Sequence, residues 1–114
     1  MFKLNEKYET QMKKGVLDML VLNLLSGQEM YGYQIISELA DLSDRRFLLK
    51  EGTLYPILYR LEDDGQIESR WSEAEGKRVA RKYYSITENG KQTLSEIRTL
   101  WNEISSRVNK IMED

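Results

Sequence analysis

With 114 residues, the chain has room for one domain with a small core and not for two. It contains no Cys and no His, which excludes zinc-finger chemistry, Cys or Ser-His nucleophilic catalysis and haem ligation by His. The 17 Lys and Arg against 19 Asp and Glu give a net charge of -2, so any affinity for a polyanion must come from where the charge sits.

The opening Met1-Phe-Lys-Leu-Asn-Glu6 lacks the continuous apolar core of a signal peptide. The apolar stretch 16–25 is interrupted by Asp18 and Asn23 and falls short of the roughly 20 residues that span a bilayer. The chain therefore reads as soluble and cytoplasmic, with no membrane partner. A first helix is expected from residue 8 or 9 to 25, ending before Ser26 and Gly27. Met12, Val16, Met19, Leu20, Val21, Leu22, Leu24 and Leu25 leave its second half with little polar face, so it needs cover on more than one side. A second subunit, meeting Met12, Val16 and Leu20, is the expected source.

A second helix is expected over residues 31 to about 41, with Tyr31, Ile35 and Leu39 on one stripe and Ile36 beside it. Residues 41–50 form a polar connection whose Arg45 and Arg46 either approach a nucleic-acid backbone or are merely solvated. In the next helix Leu54, Ile57, Leu58 and Leu61 make one apolar stripe that must be buried. Thr53, Pro56, Tyr59 and Arg60 occupy the opposite face, with Tyr55 on its flank. Such a face suits a groove reader, because a guanidinium forks onto guanine or phosphate and hydroxyls bond phosphate. Pro56 is tolerable only in a first turn, which predicts Thr53 as N-cap and Gly65 as the stop. Taken alone, the pattern fits an ordinary amphipathic surface helix equally well.

Residues 66–72 alternate, with Ile67, Ser69 and Trp71 on one side. A polar connection containing Gly76 follows, and residues 79–86 read as a second strand, so the pair is a β-hairpin. Trp71 is expected in the hairpin core. Tyr83 and Tyr84 point to opposite faces, leaving one of them free to reach a phosphate. Between residues 69 and 84, Arg70, Lys77, Arg78, Arg81 and Lys82 outnumber Glu73 and Glu75. A mild local excess of this kind gives modest affinity for nucleic acid that depends strongly on salt. Glu62, Asp63 and Asp64 diverge by about 100° per residue on a helix, so they suit a solvated helix end better than a metal site. Gly52, Gly65 and Gly76 are too scattered for a phosphate loop. Nothing points to an enzyme, a metal or a cofactor.

Thr87-Glu-Asn-Gly90 opens a last helix with a threonine cap and an early acid. Leu94, Ile97, Trp101, Ile104, Val108 and Ile111 then step by 3, 4, 3, 4 and 3, a heptad seam suited to lying along another helix. That helix is either the chain's own first helix or a partner's, and both contacts are expected. Trp101, in mid-seam, is either a core anchor or one wall of a site in which two copies sandwich a planar aromatic ligand.

Helix, helix, amphipathic helix and basic-tipped hairpin follow in the order of a winged helix-turn-helix. Gly52-Thr-Leu-Tyr-Pro56, Arg60-Leu-Glu62, Gly65, Tyr83-Tyr-Ser-Ile-Thr-Glu-Asn-Gly90 and Tyr31-Gly-Tyr33 together resemble the PadR family of bacterial transcriptional regulators. The resemblance runs from Lys14 to the chain end and is similar to a compact subgroup that includes a drug-binding regulator. It implies a homodimeric repressor on a pseudo-palindromic double-stranded operator, with the third helix and wing on DNA.

The expected fold is mainly α with a β-hairpin: a winged-helix DNA-binding unit over 1–86 and a dimerisation helix over 87–114, packed as one body. Expected DNA contacts are Thr53, Tyr55, Pro56, Tyr59, Arg60, Lys77, Arg78, Arg81 and Lys82. Expected dimer contacts are Met12, Val16, Leu20, Ile97, Trp101, Ile104, Val108 and Ile111, with Trp101 also the candidate ligand residue. Two rival functions remain, a protein-interaction module without DNA binding and a small-molecule carrier that uses the dimer cavity.

Overall fold

The computed structural model describes residues 2–73, 76 and 79–113, with side chains from residue 6 onward. Among the described residues, five helices and three short strands follow one another: α1 (Phe2–Lys14), α2 (Leu17–Gly27), β1 (Met30–Tyr31), α3 (Gly32–Leu42), α4 (Glu51–Asp63), β2 (Ile67–Trp71), β3 (Lys82–Ile86) and α5 (Glu88–Met112). The expected first helix is two helices. Gly15, costly inside a helix by about 1 kcal/mol, and β-branched Val16 interrupt it, although the apolar periodicity runs on through the break.

The hairpin is the larger part of a three-stranded antiparallel sheet in the order β1-β3-β2. Met30 pairs with Tyr84 and Tyr31 with Tyr83, while Ile67, Ser69 and Trp71 face Ile86, Tyr84 and Lys82. At two residues, β1 is too short to show alternation. Tyr84 points inward and is 1% exposed; burial pushes its phenol up to about 12. Trp71 is the exception to the predicted pattern. It lies on the inner face yet stands 66% exposed, beyond the last core residue of its strand.

α4 begins at Glu51 with Lys50 as N-cap, not at Thr53. The Lys50 carbonyl accepts from the amides of both Thr53 and Leu54 at 3.0 Å, so Pro56 falls in the second turn. An interior proline removes one helical bond and costs about 3 kcal/mol. Burial of Leu54, Ile57, Leu58 and Leu61, each worth about 1.5–3 kcal/mol, outweighs it. These four pack with Val21, Leu22 and Leu25 of α2, Ile35 and Leu39 of α3, Ile67, Tyr84 and Leu94.

Thr87 caps α5: its hydroxyl accepts from the Gly90 amide at 3.0 Å and donates to the Gly65 carbonyl at 2.7 Å. Gly90 is obligatory there, because a Cβ would come within 2.7 Å of Ile86 Cγ1 and closer still to the Gln66 carbonyl. α5 packs on α2 through Leu94 and Ile97. Its remaining turns run outward, with Trp101 45%, Ile104 50%, Val108 49% and Ile111 80% exposed. Among the described residues, no helix is long and apolar enough to cross a membrane.

Candidate nucleic-acid interface

The buried stripe of α4 turns Thr53, Pro56, Tyr59 and Arg60 outward, and all four are exposed. Tyr55 does not join them. Its half-buried ring packs on the core, and its hydroxyl occupies the space a Cβ on Gly32 would need, with Cζ 2.8 Å from that position. Burial and the neighbouring Glu51 carboxylate hold the Tyr55 phenol above its ordinary pKa. Tyr55 therefore seats α4 against the start of α3 instead of facing the groove side, which explains why Tyr31-Gly-Tyr33 accompanies Gly52-Thr-Leu-Tyr-Pro56. Sequence periodicity places Tyr55 on the flank and carries no sign of which way it leans.

Arg60 is engaged within the chain. Its Nη1 and Nη2 donate to Asp18 Oδ2 and Oδ1, each at 2.8 Å, in a planar fork that joins α4 to the first turn of α2. The hydrogen bonds and charge of Asp18 raise the arginine's pKa further. In the sequence Asp18 is only an interruption of an apolar run, so its partner was invisible there.

The wing divides its cations between two faces. On the inner face Lys82 lies 3.9 Å from Glu62 Oε1 and above the rings of Tyr59 and Tyr84, at 5.7 and 5.4 Å from their centroids. Lys82 is thus drawn toward α4. On the outer face Tyr31 and Tyr83 meet edge to face at 5.6 Å. Arg70 lies over Tyr83 at 5.1 Å and donates from Nε to Glu29 Oε2 at 3.1 Å; the same pairing holds the Glu29 carboxyl below its usual range. Arg81 stacks on Tyr31 at 4.5 Å and is exposed with no acidic partner among the described residues. Lys77 and Arg78 lie outside the described residues.

The connection from α3 to α4 is backbone-strained. Asp44 and Arg45 both have positive φ, at 50° and 67°, a conformation that costs a non-glycine residue about 1–3 kcal/mol. The Arg45 amide donates to the Ala40 carbonyl at 2.7 Å and closes the helix end. Arg46 pairs with Glu9 of α1 at 3.2 Å, while Arg45 is exposed. One of the two arginines is therefore a strut and the other is solvated.

A helix with an outward polar face, seated on two further helices and flanked by a β-wing, defines a winged-helix transcriptional regulator. The chain belongs to the PadR-like family: the profile described as Transcriptional regulator PadR-like family matches residues 21–96. An uncharacterised protein of Lysinibacillus sphaericus is 37% identical over 102 residues, 88% of this chain and 91% of that one. The PadR family regulator of Eggerthella lenta superposes with a TM-score of 0.87 at 32% identity, covering 97% of this chain and 94% of that one. Bacillus subtilis PadR, solved in complex with operator DNA, superposes with a TM-score of 0.64 at 33% identity over 71% of this chain. The overlap is 45% of that longer protein.

Gly32→Ala should push Tyr55 off its seat and destabilise the fold by about 1–3 kcal/mol, the ordinary cost of overpacking. Combining it with Tyr55→Phe, which removes the closest atom, should recover part of that loss in thermal melts. Equal melting of the single and double variants would show that Tyr55 does not set the position of α4.

Proposed function

We propose that the chain is a cytoplasmic, homodimeric transcriptional repressor, not an enzyme, that reads a pseudo-palindromic operator with α4 and grips the DNA backbone with its wing. The exposed Thr53, Pro56 and Tyr59 face of α4 beside the wing carries this reading. It is supported by likeness to Bacillus subtilis PadR, which is named a negative transcriptional regulator and was solved on operator DNA. Residues 1–86 form the reading unit and 87–114 the assembly helix. Thr53, Pro56, Tyr59, Lys77, Arg78 and Arg81 contact DNA, and Arg60 joins them only on leaving Asp18.

The dimer reading rests on Met12, Trp101, Ile104, Val108 and Ile111, apolar residues left 45–80% exposed on α1 and α5. Val16, Leu20 and Ile97, half-buried beside them, extend the same surface. A second copy laying its own α5 along this seam gives the heptad a partner. Tyr8, Met12, Val16, Phe47 and Trp101 line an open groove of about 610 Å³, edged by Glu9, Lys13 and Arg46. The groove has the size and apolar character of a site for a planar aromatic effector. Arg46 and Phe47 belong to the connection that leads into α4, so a ligand there touches the segment that places the reading helix. It relieves repression only if it favours one placement over another.

Three measurements test this reading. Lys77→Ala should weaken binding about equally on all duplexes and lower the salt slope by about one; an unchanged slope would take the wing off the DNA. Ile104→Glu places a carboxylate in the seam, which costs several kcal/mol when buried unpaired. Sedimentation should then report monomers, whereas an intact DNA-binding dimer would mean that the seam faces solvent. With Trp71→Phe leaving Trp101 as sole reporter, planar cationic dyes should quench its emission, and Trp101→Ala should abolish dye binding while DNA binding survives. Emission indifferent to the whole dye panel would remove the groove from consideration.

A further inference from the structure

Glu62 sits in the last turn of α4, and its carboxylate is shared between the two strands of the wing. Oε2 accepts from Ser69 Oγ on β2 at 2.5 Å, and Oε1 lies 3.9 Å from Lys82 Nζ on β3. Ser69 faces Tyr84 across the sheet, and Lys82 faces Trp71 in the last pair of the register. The carboxylate therefore stands at the base of the wing, one pair before the Ser72 amide bonds the Arg81 carbonyl at 2.8 Å. Its neighbours Asp63 and Asp64 are exposed and turn to solvent. An acid on a helix that approaches phosphate weakens binding unless it serves another purpose, and here both oxygens of Glu62 are used inside the protein.

We propose that Glu62 is a positioning residue for DNA binding, fixing the angle between α4 and the wing so that both meet one duplex. This rests on the DNA-binding reading above. A two-stranded ribbon is only marginally stable by itself and needs support at its base. A strand advances about 3.4 Å per residue, so a tilt of about 10° at Trp71 displaces a tip five residues on by up to about 3 Å. That exceeds the tolerance of a hydrogen bond to phosphate. The outer clamp, Arg70 on Glu29, ties the wing to the connection before β1, whereas Glu62 ties it to the reading helix itself.

The test uses the intact chain, an operator selected from a random duplex pool and a scrambled duplex, each titrated at two salt concentrations. Glu62→Ala should weaken binding to operator and scrambled duplex alike by about tenfold, the scale of one lost charge-assisted contact, and lower the salt slope on both by about one. Glu62→Gln, which keeps an acceptor for Ser69, should fall between. Charge-neutral Ser69→Ala should weaken operator binding in the same direction, and it carries the test if circular dichroism shows Glu62→Ala unfolded. Lys77→Ala should cost much less in either variant background than in the unaltered chain. Equal tightening of operator and scrambled duplex by Glu62→Ala and Glu62→Gln would overturn the proposal, leaving Glu62 a mere repelling charge. So would an equal cost of Lys77→Ala in every background, with DNA binding by the wing left standing. A silent Lys77→Ala in the unaltered chain would overturn the place of the wing on DNA and this inference with it.

Discussion

α4 has to be held rigidly by one face while its other face stays bare. Leu54, Ile57, Leu58 and Leu61 supply the adhesion, but burial of aliphatic side chains is non-directional and does not fix a helix about its own axis. Directional contacts do that in its second and last turns. Tyr55 is seated against Gly32 in the second turn, and in the last turn Arg60 is forked by Asp18 and Glu62 bonds Ser69. Each attaches α4 to a different element, respectively α3, α2 and the wing. Rotation of α4 therefore requires three unrelated contacts to give way together.

The same contacts explain how a chain of net charge -2 is compatible with binding a polyanion. Arg46, Arg60, Arg70 and Lys82 are each matched by an acid at short range. Such pairs cancel at a distance and add little to the field that a duplex meets. The cations free to act at a distance are those without such partners, and exposed Arg81, stacked on Tyr31, is one among the described residues. Counting basic residues along the hairpin overstates the charge it offers.

How much of this was legible in the sequence follows from how local each signal is. Ile35 and Leu39 of α3, the stripe of α4, the threonine cap of α5 and the opposed faces of Tyr83 and Tyr84 depend on neighbours three or four residues apart, or on strand alternation, and they appear where periodicity puts them; Tyr31, expected on the α3 stripe, instead lies in β1 opposite Tyr83. The split of the first helix at Gly15 was hidden by an apolar pattern that continues across it. Strand β1 was hidden by its length, and the start of α4 by a proline placed deeper than proline alone permits, a position made tolerable by four buried neighbours. The charge pairs are separated by tens of residues, as with Asp18 and Arg60, and no periodicity reports such contacts. Sequence therefore named α4 and its outward face, but not which of its polar residues are already occupied.

The outer half of the molecule follows from the inner half. Once Leu94 is buried and Ile97 is half-covered against α2, the remaining turns of the 25-residue α5 leave Ile104, Val108 and Ile111 about half or more exposed. α1, separated from α2 at Gly15 and Val16, leaves Met12 exposed beside Trp101. Between them lies the groove that ends on Arg46 and Phe47, and Arg46 is tied to α1 through Glu9. An occupant of that space, whether a partner helix or a small molecule, would touch Arg46 and Phe47, which directly follow the strained turn at Asp44 and Arg45 and lie only a few residues from the N-cap of α4. The strain matters for coupling, because a turn held in an unfavourable conformation by its surroundings shifts readily when one of those surroundings changes. The proposed assembly and ligand site on one side of the molecule and the placement of α4 on the other would therefore share one short segment, residues 44–50.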